Sequence, residues 1–101
     1  MNDDQSATRF FAVVERIEKA APVEIDATGA ALIAAIHLGV GSDSRSLSNK
    51  LGMAHALVLR EITALSDRFL KLVKRDARTQ RTFVELTEEG SALAQQATEE
   101  V

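Results

Sequence analysis

The chain lacks several residue types from which functional sites are commonly built. It contains no cysteine, tryptophan or tyrosine, and one proline, among 101 residues. The absence of cysteine excludes disulfides, thiolate zinc sites and thiol-based redox sensing, and it is typical of a reducing compartment. Two histidines that lie far apart in the sequence give little basis for a metal site. We therefore expect neither a metal ion nor another cofactor.

Long hydrophobic runs are also missing. No apolar run reaches the roughly 18 residues that a membrane span requires, and the sequence starts with acidic residues instead of the basic start of a secretory signal. We therefore expect a cytoplasmic protein that does not enter a membrane. Its length and its 46% hydrophobic content predict a single domain, residues 1–101, with a core of leucine, isoleucine, valine and alanine.

The usual signatures of an enzyme are absent from the sequence. It has no glycine-rich phosphate loop, no cysteine nucleophile and no cluster of metal ligands. The serines between Ser42 and Ser48 have no paired histidine base, and helix capping and turn formation explain them. We therefore expect that the protein is not an enzyme.

The net charge of -3 conceals an uneven distribution of charge along the chain. Nine of the twelve lysines and arginines lie between Arg45 and Arg81, where only three of the fifteen acidic residues are found. Such a distribution can present a basic face to phosphates while acidic flanks limit non-specific binding. A mixed, solvated surface explains the charge pattern equally well.

Hydrophobic spacing predicts a mainly α, α+β fold in the order helix, helix, helix, helix, β hairpin, helix. Glycine, proline and N-capping residues separate the elements. The predicted helices are 6–20, 27–38 behind Asp26, 44–51 behind Ser42 or Asp43, 54–68, and 88–99 behind Thr87, and the predicted hairpin is 70–87.

The hairpin prediction depends on a change from helical to alternating periodicity. Leu70, Leu72, Phe83 and Glu85 fall on alternate positions around a polar loop. The segment 38–41 can supply a further, very short strand between the second and third helices.

Residues 44–68 fit a helix-turn-helix, in which the second helix can lie in the major groove of DNA. With Val58, Ile62 and Leu65 facing inward, helical geometry turns a different set of side chains outward. The candidate base-reading residues are His55, Ala56, Leu57, Leu59, Arg60 and Thr63. Arg60 is the best reader, because a guanidinium can bond both acceptors of guanine. His55 can donate to a phosphate or a base, or be only a polar surface residue.

A basic hairpin that follows such a helix can bind phosphates or enter the minor groove, as a wing does. The candidate backbone contacts are Arg45, Lys50, Lys74, Arg75, Arg78 and Arg81.

These segments resemble the MarR family of winged-helix regulators over about residues 26–97. The stretch Ser46–Met53 is similar to that family's third helix and turn, and the segments Leu72–Arg75, Asp76–Arg78 and Val84–Gly90 are similar to its wing. The resemblance places Arg78 at the wing-tip arginine. It places five residues along the recognition helix: His55, Ala56, Leu57, Leu59 and Arg60. It implies sequence-specific binding of double-stranded DNA by a homodimer, usually for repression of transcription, often relieved by a small phenolic or similar effector.

The chain also departs from the family's pattern. The family usually has serine or threonine at several exposed positions of this helix, where the chain has the apolar residues Ala54, Ala56, Leu57 and Leu59. Family members continue into a long dimerisation segment, whereas this chain ends at Val101, so we expect the helix with Phe10 and Phe11 and the C-terminal helix to form the dimer. Of these two adjacent aromatics, we expect one to be buried and one exposed.

The apolar recognition helix leaves an alternative function open. In a winged-helix module for protein–protein interaction, Leu57, Val58 and Leu59 would contact a protein partner, and the basic hairpin would be a solvated edge.

Overall fold

The computed structural model describes residues 3–101, with side chains from Ser6 onward, and it contains five helices and one two-stranded antiparallel sheet in that range. The order of the elements is the predicted order. Their bounds are α1 Asp3–Ala20, α2 Ala27–His37, α3 Ser44–Leu51, α4 His55–Leu65, β1 Leu70–Asp76, β2 Arg81–Leu86 and α5 Glu88–Glu99.

Helix α2 lies at the centre of the fold, as its nearly uniform apolar sequence predicts. Every residue from Gly29 to Ala35 is buried, and α1, α4, α5 and β2 all pack against the helix. Alanine side chains allow these neighbours to approach closely, while Leu32 and Ile33 fill the space between them. Full burial of one such large aliphatic side chain stabilises the fold by about 1.5–3 kcal/mol.

Three helices begin at the predicted capping residues. The side chains of Asp26, Asp43 and Thr87 each accept a hydrogen bond from the backbone N–H three residues further on, at 2.8, 3.0 and 3.0 Å. Each of these bonds satisfies a donor that the first helical turn leaves unpaired. Helix α4 differs, because Ala54 at its N-cap has no side chain that can accept such a bond.

Helix α4 is shorter at both ends than the predicted helix 54–68, so the helix-turn-helix ends at Leu65 and not at residue 68. Ser66 has an extended backbone, with ψ 145°, and Asp67 has a φ of 74°, which no continuing helix allows. The Ser66 hydroxyl donates to the Ile62 carbonyl at 2.7 Å and so satisfies one acceptor of the last turn. The sharp turn that follows leads the chain into β1.

The hairpin formed by β1 and β2 contains a bulge at Val73. Leu72 pairs with Val84, but the next pair is Lys74 with Phe83. A bulge of this kind turns the following residues and increases the twist of the ribbon. Thr82 and Val84 are the buried residues of β2, so the predicted alternation through Phe83 and Glu85 follows the outer face of the strand.

The segment 38–41 forms a turn, and the prediction of a short strand there is wrong. The equivalent pairing occurs slightly later, where Asp43 forms an isolated bridge with Phe83 and the Val84 N–H donates to the Ser42 carbonyl at 2.9 Å. The hairpin is thereby attached to the start of α3. Within residues 3–101, no helix is both long enough and apolar enough to cross a membrane.

Candidate nucleic-acid interface

Helices α3 and α4 form a helix-turn-helix with a tight connection. Gly52 ends α3 in the left-handed conformation, with a φ of 67°, which glycine adopts without the strain that a Cβ causes. The Ser48 hydroxyl donates to the Met53 carbonyl at 2.6 Å across the turn. The connection therefore fixes the position from which α4 starts.

The outer face of α4 is narrower than the sequence predicts. Ala56, Arg60 and Thr63 are exposed, whereas His55, Leu57 and Leu59 are half-buried. Val58 is completely buried, so it cannot contact a partner in the alternative interaction module. The Thr63 hydroxyl donates to the Leu59 carbonyl at 3.1 Å, which leaves its oxygen able to accept a further bond.

We call the hairpin and its turn, residues 77–80, the wing. A groove separates the wing from α4. The groove holds two adjoining cavities of about 320 and 330 Å³. Leu59 lines both cavities from the helix side, and Arg75 and Thr82 line both from the wing side. Helix α4 and the wing therefore form the two walls of one groove.

The outer end of the wing, residues 75–80, carries two arginines that the fold does not use. The guanidinium groups of Arg75 and Arg78 have no hydrogen-bond or ion-pair partner within residues 3–101. The turn beneath them is ordered, because Asp76 accepts the Arg78 N–H at 3.0 Å and Gln80 takes a left-handed φ of 56°. We call this segment the wing tip.

Arg81, at the other end of the turn, is half-buried and is held against the start of α3. It donates to Asp43 at 2.6 Å and to the Ser46 hydroxyl at 3.2 Å. Burial raises the pKa of Asp43, but hydrogen bonds from Ser46 and Arg81 outweigh it and leave that pKa below its ordinary value. Arg81 thus links β2 to the carboxylate that caps α3.

A second link runs through Ser44 and His55. The Ser44 hydroxyl oxygen accepts the Thr82 N–H at 3.0 Å and lies 2.8 Å from His55 Nε2. Burial, followed by the positive charge of Arg45, lowers the pKa of His55. A neutral His55 can accept a hydrogen bond from the Ser44 hydroxyl, so Ser44 connects the start of α4 to Thr82 of the wing.

The other end of the hairpin is attached to α5 through Thr87. Its N–H donates to the Phe69 carbonyl at 3.0 Å, and its hydroxyl donates to the Arg68 carbonyl at 2.6 Å. A Cβ on Gly90 would lie 2.2 Å from the Phe69 carbonyl oxygen, so only glycine fits at this position. The Leu-Thr-Glu-Glu-Gly segment therefore has a structural role. Two sets of contacts thus attach the wing to the helices: Asp43 and Ser44 with Arg81 and Thr82 beside the turn, and Thr87 and Gly90 with Phe69 at the open end of the hairpin. We call these attachment contacts together the wing base.

The remaining predicted backbone contacts are dispersed. Arg45 donates to Gln80 at the wing tip. Lys74 lies on β1 with its amine 4.9 Å from the centre of the Phe83 ring. Lys50 donates to the Val40 carbonyl at 2.9 Å and lines a cavity beside α1 that also contains Phe10 and Phe11. The structure therefore places Arg75 and Arg81 at the groove and Arg45 beside the wing tip, whereas Lys74 lies against Phe83 and Lys50 lies beside α1.

The sequence analysis did not single out Glu61 as a candidate residue, although it is a charged residue of α4 that is only 8% exposed. The signal was available, because Glu61 follows Val58 by three residues and precedes Leu65 by four, and both of these face the core. No group of three or more histidine, aspartate or glutamate side chains within residues 3–101 is arranged to hold a metal ion.

Known proteins provide one informative comparison. The chain matches no protein-family model and no curated protein sequence. Among solved structures it is similar to a double mutant of ZitR from Lactococcus lactis, with a TM-score of 0.60 and 15% sequence identity over 95% of this chain and 73% of that chain. At this identity the likeness concerns the fold alone. The fold is a winged helix, because it combines this order of helices with a helix-turn-helix and a basic hairpin.

Proposed function

We propose that the protein binds double-stranded DNA and regulates transcription, with α4 in the major groove and the wing tip against the backbone beside it. The observation that carries the proposal is the shared groove, with Leu59 on one wall and Arg75 on the other. The major groove of a duplex is about as wide as a helix, and a phosphate backbone runs along each edge of it. A helix with a basic hairpin beside it can therefore occupy the groove with the helix and contact the neighbouring backbone with the hairpin.

Sequence recognition would come from the exposed stripe of α4. Arg60 can bond both major-groove acceptors of guanine, and the Thr63 oxygen can accept from a base or a water. Ala56 offers a methyl group for contact with thymine. With so few polar readers, we expect a short or degenerate recognition sequence for each copy.

Affinity would come from the cations that the fold leaves unpaired. Arg75 and Arg78 at the wing tip are exposed, and their turn is ordered before DNA arrives. Such contacts neutralise phosphates without reading sequence. The acidic residues of α5, a helix without lysine or arginine, favour approach by the basic side.

A homodimer and repression are further parts of the proposal, because the sequence resembles the MarR family. Phe11 supports the dimer, since it is 68% exposed on α1 while Phe10 packs against the core. Helix α5 lies against α1, so both helices can contribute to one interface. An effector could use the cavities of about 390 and 400 Å³ beside these aromatics. Sedimentation at micromolar concentration tests the dimer, and a strict monomer contradicts it.

Selection from random duplexes at low salt tests DNA binding directly. We expect an enriched sequence and retarded duplex, with Arg60→Ala changing the enriched positions. No enrichment, together with no retardation at low salt, contradicts the proposal and favours a protein-interaction module.

A further inference from the structure

Glu61 is a charged residue that α4 turns inward, toward the core. It lies in the helix between Val58 and Leu65, and it is only 8% exposed. An ionised carboxylate at such a site is costly unless another group compensates its charge. The groups around Glu61 therefore decide its ionisation state.

The partner of Glu61 is a second carboxyl, that of Asp26 at the start of α2. Asp26 accepts the Gly29 N–H at 2.8 Å. A Cβ on Gly29 would lie 3.3 Å from Glu61 Oε1 and 3.4 Å from Asp26 Oδ1, so both carboxyls converge on the space that this glycine leaves open. At this approach the two carboxyls can form a side-chain hydrogen bond. Two carboxyls can share such a bond only when one of them carries a proton.

The proton belongs on Glu61. Burial, followed by the hydrogen bond and negative charge of Asp26, raises the pKa of Glu61. The Gly29 N–H, followed by the hydrogen bond from Glu61, lowers the pKa of Asp26. The other charge that acts on Glu61 is Arg60, next to it on α4, which opposes the rise.

We propose that Glu61 is a positioning residue for DNA binding: when protonated it fastens α4 to the start of α2, and its ionisation loosens that contact. This inference rests on the proposed DNA binding. Ionisation of Glu61 creates repulsion between its carboxylate and that of Asp26. It also adds a negative charge beside Arg60 on α4, the helix that must approach phosphates. DNA therefore binds the protonated form more tightly, and binding is accompanied by proton uptake at a pH where Glu61 is partly ionised.

The sign of the pH effect follows from linkage. A glutamate with a raised pKa in the folded protein contributes stability that is lost as the pH rises through that pKa. Duplex affinity is likewise lost as the pH rises through that pKa if only the protonated form binds well. Duplex affinity then falls by at most about tenfold for each pH unit above the pKa of Glu61.

Duplex affinity measured between pH 5 and 9 tests the proposal with three variants. Glu61→Gln keeps a donor for Asp26 and cannot ionise, so we expect it to bind at all pH values as the wild type does at low pH. Asp26→Asn keeps the helix cap and removes the charge that raises the pKa of Glu61, so we expect its loss of affinity to shift to lower pH. Glu88→Gln makes the same chemical change at an exposed site and should follow the wild type. His55 is common to all of them, so its titration cancels in the comparison.

Carbon-13 NMR titration of the side-chain carboxyls, without DNA, gives a second readout. We expect the pKa of Glu61 to lie above that of ordinary glutamates in the wild type and to fall in Asp26→Asn. An ordinary pKa overturns the inference even if DNA binding is never observed.

The failures of the two proposals are distinguishable. Absence of duplex binding by every variant at every pH contradicts the proposed function. Duplex binding with the same pH dependence in the wild type and Glu61→Gln contradicts the role of Glu61. If Glu61→Gln does not fold, an unshifted pH profile in Asp26→Asn contradicts it instead.

Discussion

The wing tip and the wing base contain the same kind of side chain and use it differently. Arg78 at the tip is exposed, and its guanidinium has no partner within the described residues. Arg81 at the base, three residues later, is ion-paired to Asp43 at 2.6 Å and also bonds Ser46. In the sequence both residues belong to one basic cluster and are equal candidates for phosphate contact.

The difference distinguishes an arginine that is available for phosphate binding from one that holds the wing in place. A cation contributes to phosphate binding when a duplex can reach it without breaking an internal bond. A cation already paired to a buried carboxylate fixes the position of the wing instead, and its removal leaves Asp43, only 9% exposed as a side chain, without its partner. The count of basic residues thus overstates the number of cations that are free to contact a phosphate.

The largest expected effect comes from Gly90→Ala at the wing base. The new Cβ would lie 2.2 Å from the Phe69 carbonyl oxygen, so α5 or the start of the hairpin must move. We expect a loss of about 3 kcal/mol in the free energy of unfolding, measured by urea denaturation. Ser91→Ala, at the next and exposed position of the same helix, is the control and should change little. Equal stabilities of the two variants would show that Gly90 is not a close contact.

A smaller loss is expected for Arg81→Ala. The change removes the ion pair to Asp43 and the bond to Ser46, but Arg81 is 37% exposed, so water moderates the effect. We expect a loss of about 2 kcal/mol in the free energy of unfolding. Arg78→Ala is matched in chemistry and should cost less than about 0.5 kcal/mol. A larger loss from Arg78→Ala would reverse the distinction between tip and base.

Arg60→Ala should affect specificity more than stability. Arg60 is exposed on α4, so its removal takes away the proposed base reader and leaves the wing intact. We expect a loss of about 1–2 kcal/mol in discrimination at the base pair it contacts, measured by competition between duplexes that differ there. Thr79→Ala, in the wing turn, is an exposed control that should leave base preference unchanged. Uniform weakening on all duplexes would instead assign Arg60 to the backbone.

Much of the fold could be predicted from the sequence because its signals are local. Asp26, Asp43 and Thr87 cap helices through bonds that span three residues, and the apolar run of α2 can only be buried. The inner face of β2 could not be predicted in this way. It depends on the bulge at Val73 and on the attachment of Val84 to Ser42, a contact between distant parts of the chain.

The candidate site shows the same limit. Helical geometry predicted the exposure of Arg60 and Thr63, yet the partial burial of Leu59 depends on the wing beside it. Likewise, Arg81 finds its carboxylate 38 positions away in the sequence. Charge can be counted from a sequence, but its pairing needs tertiary structure.

The salt dependence of duplex affinity for the wild type, Arg78→Ala and Arg81→Ala tests the central claim most directly. Each phosphate contact contributes about 0.9 to the slope of log affinity against log salt. We predict a steep slope for the wild type, a slope shallower by about 0.9 for Arg78→Ala, and the wild-type slope for the folded fraction of Arg81→Ala. The account is contradicted if the wild type does not bind at low salt, or if Arg81→Ala lowers the slope as much as Arg78→Ala does.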